Sequence, residues 1–159
     1  MSEREMMNGI LPVQEIREAM EAGVITATSP VTEAQMQPAS MDLRLGKRGW
    51  RVRSSFLPGA GTKVSEKLDR FTMHQIDLTH GAVLERGCVY IVELQESLAL
   101  PNDVSALANP KSSTGRLDVF TRLITDGALE FESVEAMYKG PLFAEISPRT
   151  FSVLVRPGT

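Results

Sequence analysis

A chain of 159 residues is long enough for one domain with a real core, and a second domain is not expected. Apolar residues make up 42% and charged ones 23%, and a net charge of −3 gives no basic footprint for a general nucleic-acid binder, although a local basic pocket stays open. A single cysteine, Cys88, excludes an intramolecular disulfide and fits a reducing cytoplasm, while no apolar run approaches the ~20 residues of a membrane span and the N-terminus lacks the order of a signal peptide.

Residues 1–8 are polar and expected to be loose. Pro12 suits the first turn of a helix. Val13, Ile16, Ala19 and Met20 then recur at helical spacing, with Glu15, Arg17, Glu18 and Glu21 toward water and Gly23 as the stop. This predicts an amphipathic cap of about three turns. After a Thr/Ser/Pro loop at 26–30, Met41, Leu43 and Leu45 alternate with Ser40, Asp42 and Arg44, the period of a strand with one face buried. Trp50 and Val52, set among Lys47, Arg48, Arg51 and Arg53, predict another short strand, and 54–65 reads as a flexible loop.

Strands are predicted at 71–78 and 88–94, with a turn at His80-Gly81 between them; VYIVEL (89–94) is rich in β-branched and aromatic residues. Residues 98–100, the Pro101-Asn102-Asp103 turn and 104–107 lead into ANPKSSTGRLDVF (108–120). This stretch opens on an Asn-Pro turn and then gathers Lys111, two hydroxyls (Ser112, Ser113), Gly115 and Arg116. Leu117, Val119 and Leu123 then alternate with polar residues as a strand. Residues 130–137 read as a short helix or an acidic insertion, 138–141 as a turn, and 142–146 and 151–155 as the last strands. Many short strands with Pro/Gly turns make the fold class mainly β, a barrel or sandwich with little helix.

The chemistry is bounded by scarcity. With His74, His80 and Cys88 as its complete set of histidines and cysteines, the chain cannot supply the His/Cys/Cys cluster of a zinc deaminase. Cys88 precedes an apolar strand and reads as core; the histidines sit near a turn and read as solvated or structural. Neither helix-based nucleotide cradle is present. What remains is an anion-binding reading of Lys111, Ser112, Ser113 and Arg116, beside the plainer one of a polar turn entering a strand. Glu145 lies inside an apolar strand, where a carboxylate is costly unless paired and where burial makes a carboxylate a better proton acceptor. The plainer reading puts it on a solvent face. Asp42 and Arg44 share a strand face and could pair, although Asp42 is equally a surface residue. Asp126-Gly127 is first a turn signal and second a carboxylate for catalysis.

In order, PASMDLRLG (38–46), KSSTGRLDVF (111–120), YKGPLFAEI (138–146) and VLVRPG (153–158) resemble the motifs of the dCTP deaminases in the dUTPase-like superfamily, and are most similar to the N-terminal half of the tandem-domain bacterial form. The resemblance implies a dUTPase-like β-barrel or jelly-roll-like fold, built as a homotrimer or pseudo-trimer with sites between subunits. It implies deamination of dCTP to dUTP without zinc, Mg²⁺ arriving on the substrate triphosphate, and no DNA or membrane partner. Carried over by position, Ser112, Ser113 and Arg116 match the loop that holds phosphate and helps polarise base and water. Glu145 matches the general base. Lys111 stands where the family has Arg, and Asp118 where it has Gly. Arg122 to Asp126, with Thr125, replaces the base-reading segment, ahead of an acidic insertion at 127–137. The sequence ends just after its Arg-Pro-Gly, where family members continue with a strand and a tail, so a truncated piece or a free-standing half-domain is expected. Two alternatives accompany the deaminase: a dUTP diphosphatase using Asp126, and a lobe that binds nucleotide or supports a partner without catalysis.

Overall fold

The computed structural model describes residues 9–159, so the loose segment expected at 1–8 lies outside it. In chain order the elements are α1 (Val13–Glu21), β1 (Ile25–Ala27), a 3₁₀ turn (Glu33–Gln35), β2 (Met36–Gln37), β3 (Ser40–Met41), β4 (Leu45–Val52), α2 (Val64–Phe71) and β5 (Thr72–Asp77). They continue with β6 (Ala82–Leu84), β7 (Val89–Ala99), β8 (Ala106–Leu107), α3 (Ser112–Arg116), β9 (Val119–Thr125), β10 (Ser133–Val134), β11 (Lys139–Pro148) and β12 (Val153–Val155). The chain is mainly β, as its punctuation predicts.

The predicted first helix forms and ends at the predicted place. Gly23 takes φ +77, and the Gly23 and Val24 amides turn back onto the Met20 and Ala19 carbonyls, closing the helix end. The apolar run after Cys88 becomes β7, the strand on which the main sheet is assembled. The order is β5-β4-β7-β11-β9, all antiparallel, with β1 beside the far half of β7 through Ile25↔Leu98. Three two-stranded ladders complete the pairing: β8–β10, β6–β12 and β2–β3. Among the described residues no pairing joins β5 to β9, so the hydrogen-bonded sheet is open and not a closed barrel.

Side-chain alternation gives this sheet two unlike faces. One carries Tyr90, Val92 and Leu94 from β7, Leu142, Ala144 and Ile146 from β11, and Val119 and Leu123 from β9; these belong to the larger core. The other carries Val52, Ile91, Phe143 and Ile124, covered by Phe56 from the loop after β4 and by Val64 and Leu68 from α2. Glu145 and Arg122 have the parity of this second face.

Several expectations change once strands must find neighbours. The Met41–Leu45 alternation is not one strand: β3 stops at Met41, β4 starts at Leu45, and Leu43 is exposed. The backbone between is diverted because the Arg44 amide donates to the Glu96 carboxylate at 2.9 Å instead of continuing a ladder. Asp42 and Arg44 do not pair; Asp42 meets Lys111 and Arg44 meets Glu96. The basic stretch predicted as a separate strand is the body of β4.

The loop at 54–65 closes with an unpredicted helix, α2. Val64, Leu68 and Phe71 have helical spacing, but the stretch lacks a strong capping residue of its own. Its cap comes from far along the chain, where Asp126 Oδ1 accepts the Val64 amide at 2.8 Å. Residues 130–137 form no helix; β10 lies there against β8. The turn expected at 138–141 is instead the start of β11, whose register slips between Pro141 and Phe143, where proline has no N–H to give the ladder. Cys88 is partly buried against the larger core, and both histidines are exposed, as expected.

Candidate active site

The sheet buries two glutamates, and the difference between them locates the site. Glu96 is fully buried and fully used: Oε2 accepts the Arg44 amide, while Oε1 accepts Arg44 Nε at 2.9 Å and Gln35 Nε2 at 3.1 Å. Arg44 continues to the Ser29 and Pro30 carbonyls. Both carboxylate oxygens thus have donors, which marks structure.

Glu145, 2% exposed, is only half satisfied. Its Oε2 accepts Arg122 Nε at 2.6 Å, across the register pair Glu145↔Arg122 of β11 and β9. Its Oε1 is buried and, among the described residues, has no hydrogen-bond partner. Among the described residues two other buried side-chain oxygens share that condition, Thr72 Oγ1 and Gln95 Oε1, and neither carries charge. A buried carboxylate oxygen without a donor is expensive, so its persistence points to use by something that binds there. The solvent-facing reading of Glu145 is overturned: on β11 it alternates with the core residues Ala144 and Ile146 and shares its own face with buried Phe143.

Arg122 is held from several sides. Its NH2 donates to Ser55 Oγ at 2.7 Å, and its guanidinium carbon lies 3.5 Å from the Phe131 ring centroid and 5.0 Å from that of Phe120. Nearby Glu132 accepts the Leu123 amide. Burial pushes the Glu132 carboxyl above its ordinary range, a rise that the Leu123 hydrogen bond and the charge of Arg122 oppose.

The remaining predicted site residues divide into three groups. Ser112, Ser113 and Arg116 lie exposed on α3, with no side-chain hydrogen bond or ion pair among the described residues. Lys111, just before α3, is tied through Nζ to Asp42 at 2.5 Å. Thr125 is buried in β9, and Asp126 is engaged as the cap of α2. Among the described residues no hydrogen bond or ion pair joins the α3 side chains to Glu145. Asp118, in the position where the resembling family has glycine, adopts φ +52. It is anchored there by its carboxylate, which accepts Thr150 Oγ1 at 2.6 Å, and by its carbonyl, which accepts the Arg149 amide. Sequence reasoning missed Ser55 and Phe131 and did not single out Arg122, because only strand register shows that Arg122 faces Glu145.

Among the described residues no three His, Cys, Asp or Glu side chains gather where they could hold a metal ion, and no helix is long and apolar enough to cross a membrane.

Residues 7–159 match the family model described as the 2'-deoxycytidine 5'-triphosphate deaminase N-terminal domain. Among curated proteins, the chain is 29% identical over 112 residues to "dCTP deaminase, dUMP-forming" of Beutenbergia cavernae, covering 70% of this chain and 57% of that protein. It is 30% identical over 128 residues to "dCTP deaminase" of Halorubrum lacusprofundi, covering 79% and 60%. Its fold superposes with TM-score 0.91 on the crystal structure of 2'-deoxycytidine 5'-triphosphate deaminase from Agrobacterium tumefaciens, at 57% identity. That match covers 94% of this chain and 45% of the other, so the chain spans about half of that protein and about three-fifths of the two curated relatives.

Proposed function

The chain belongs to the 2'-deoxycytidine 5'-triphosphate deaminase N-terminal domain family, and from that premise we propose that it deaminates dCTP to dUTP with Glu145 as general base. The observation that carries the reading is Glu145 itself: a buried carboxylate with one oxygen on Arg122 and the other without a donor. The substrate is dCTP as its Mg²⁺ complex, the metal arriving on the triphosphate. The exposed Ser112 and Ser113 hydroxyls and the Arg116 guanidinium are the groups that would take the phosphates.

In the step proposed, Glu145 Oε1 takes a proton from water and the hydroxide adds to C4 of the base. The C4=N3 electron pair moves to N3, which receives that proton from Glu145. The new hydroxyl then gives its proton to the exocyclic amine, the C4–N bond breaks, and ammonia leaves as C4=O forms. A base held within hydrogen-bond reach of a positioned water contributes roughly 10²–10⁴-fold to such a reaction.

Among the described residues no hydrogen bond or ion pair links α3 to Glu145. That separation supports a homotrimer or pseudo-trimer in which α3 of one copy, or of a second repeated half, completes the site around Glu145 of another. A cytoplasmic setting suits nucleotide chemistry and keeps Cys88 reduced. A second reading draws on the name "dCTP deaminase, dUMP-forming" carried by several of the relatives: this chain's product would then be dUMP with pyrophosphate and ammonia. Chromatography of the products formed from Mg²⁺–dCTP and from Mg²⁺–dUTP, with ammonia measured in parallel, decides. dUTP and ammonia from dCTP establish the deaminase, dUMP with pyrophosphate and ammonia from dCTP establishes the longer reaction, dUMP with pyrophosphate from dUTP alone marks a diphosphatase, and nucleotide binding with no product leaves only a binding lobe.

A further inference from the structure

We infer that Arg122 is a positioning residue for the base: it grips one carboxylate oxygen of Glu145 and so reserves the other for the reacting water. The inference rests on the proposed deaminase chemistry and deepens it.

A guanidinium and a carboxylate normally meet fork to fork, which would occupy both carboxylate oxygens. Here the fork is spread over two partners. Nε donates to Glu145 Oε2 at 2.6 Å and NH2 donates to Ser55 Oγ at 2.7 Å, while among the described residues Glu145 Oε1 receives no donor. Ser55 thereby draws one arm of the fork away from the carboxylate. The guanidinium plane cannot readily turn back, because it is stacked 3.5 Å from the Phe131 centroid with Phe120 at 5.0 Å on β9 itself. The cation is therefore pre-organised in one place, and most of its rotamer freedom is spent in folding and not in catalysis.

The arrangement has two chemical consequences. The charge of a carboxylate that is 2% exposed is compensated, so it can remain in the sheet without a second partner. Its in-plane orientation is also fixed by the Oε2 hydrogen bond, so Oε1 has one defined direction for accepting a proton. A lysine at this position could reach Oε2 but could not span Glu145 and Ser55 while stacking flat on a ring.

The test uses the intact polypeptide, with ammonia release from Mg²⁺–dCTP read as kcat and KM separately, together with thermal melting. Arg122→Ala is expected to lower kcat on the order of 100-fold while KM changes by no more than about threefold. Guanidinium at tens of millimolar should restore at least roughly tenfold of the lost rate, because it refills a site that keeps its aromatic walls. Arg122→Lys should recover only part of kcat, and Ser55→Ala should lower kcat less than Arg122→Ala does. The inference is overturned if Arg122→Ala keeps parental kcat, if its loss falls on KM (which would put Arg122 on the substrate), or if the loss follows melting temperature without guanidinium rescue. A parent that releases no ammonia overturns the deaminase reading and this one with it; an active parent with an indifferent Arg122→Ala overturns this one alone.

Discussion

Replacing Glu145 by Gln keeps the side chain's shape and removes its ability to take a proton. Under the proposed chemistry, Glu145→Gln should cut dCTP turnover by at least roughly 100-fold, while calorimetry shows nucleotide affinity essentially unchanged. Retained turnover would remove Glu145 from the mechanism. Glu96 should behave in the opposite way. Its two oxygens hold Arg44 and Gln35, so Glu96→Ala strands a largely buried cation and should cost about 3–5 kcal/mol in urea unfolding. Asp118 supplies a third test. With φ +52 it occupies backbone space that a β-branched residue resists, so Asp118→Val should destabilise by roughly 1–2 kcal/mol. Asp118→Gly relieves that conformation but gives up the Thr150 hydrogen bond.

The elements around the site are held by side chains that arrive from elsewhere in the chain. Helix α2 covers the second sheet face with Val64 and Leu68, and its first turn is capped by Asp126 at the end of β9. Asp126→Ala should therefore cost about 1 kcal/mol, measured by denaturant midpoint, whereas Asp126→Asn keeps an oxygen for the Val64 amide and should cost less. The same pair bears on chemistry. If a carboxylate at 126 activated water against a phosphate, Asp126→Asn would stop dUMP formation while leaving α2 capped; equal product from parent and Asp126→Asn would leave Asp126 a cap only. At the other end of β9, Lys111 ties the entrance of α3 to Asp42, so the candidate phosphate loop is fastened to the SMDLR segment that Glu96 in turn anchors.

For the molecule as a whole, alkaline stability should be set partly by its two tyrosines. Burial pushes the Tyr138 phenol up to about 12; the hydrogen bond from the Asp126 amide partly opposes that rise, and the Asp126 charge adds to it. Burial also raises Tyr90. A group whose affinity for its proton is higher in the folded chain contributes stability below its unfolded value and loses it as pH rises through the folded one. The Tyr138 contribution should accordingly be complete below about pH 10 and disappear toward pH 12. Melting temperature should fall across that window. Tyr138→Phe should make the fall shallower at the expense of the hydrogen bond to the Pro141 carbonyl.

What the sequence determined by itself is what local chemistry can encode. Period-2 alternation, Pro/Gly punctuation and the Gly23 stop give a mainly β chain with one amphipathic helix at its start. The run of motifs from PASMDLRLG to VLVRPG identified the family before any coordinate was placed. Glu145 stood out because a carboxylate in an apolar run needs a reason. Tertiary structure decided the pairings, since hydrogen-bond register and long-range caps join residues that no window of sequence holds together. The cap of α2 lies at Asp126, the partner of Arg44 is Glu96, and Arg122 meets Glu145 only because β9 and β11 align in one register out of several. An unpaired oxygen is likewise a property of three-dimensional packing: Glu96 and Glu145 are the same residue type in similar strands, and only their neighbours make one a fastening and the other a candidate base.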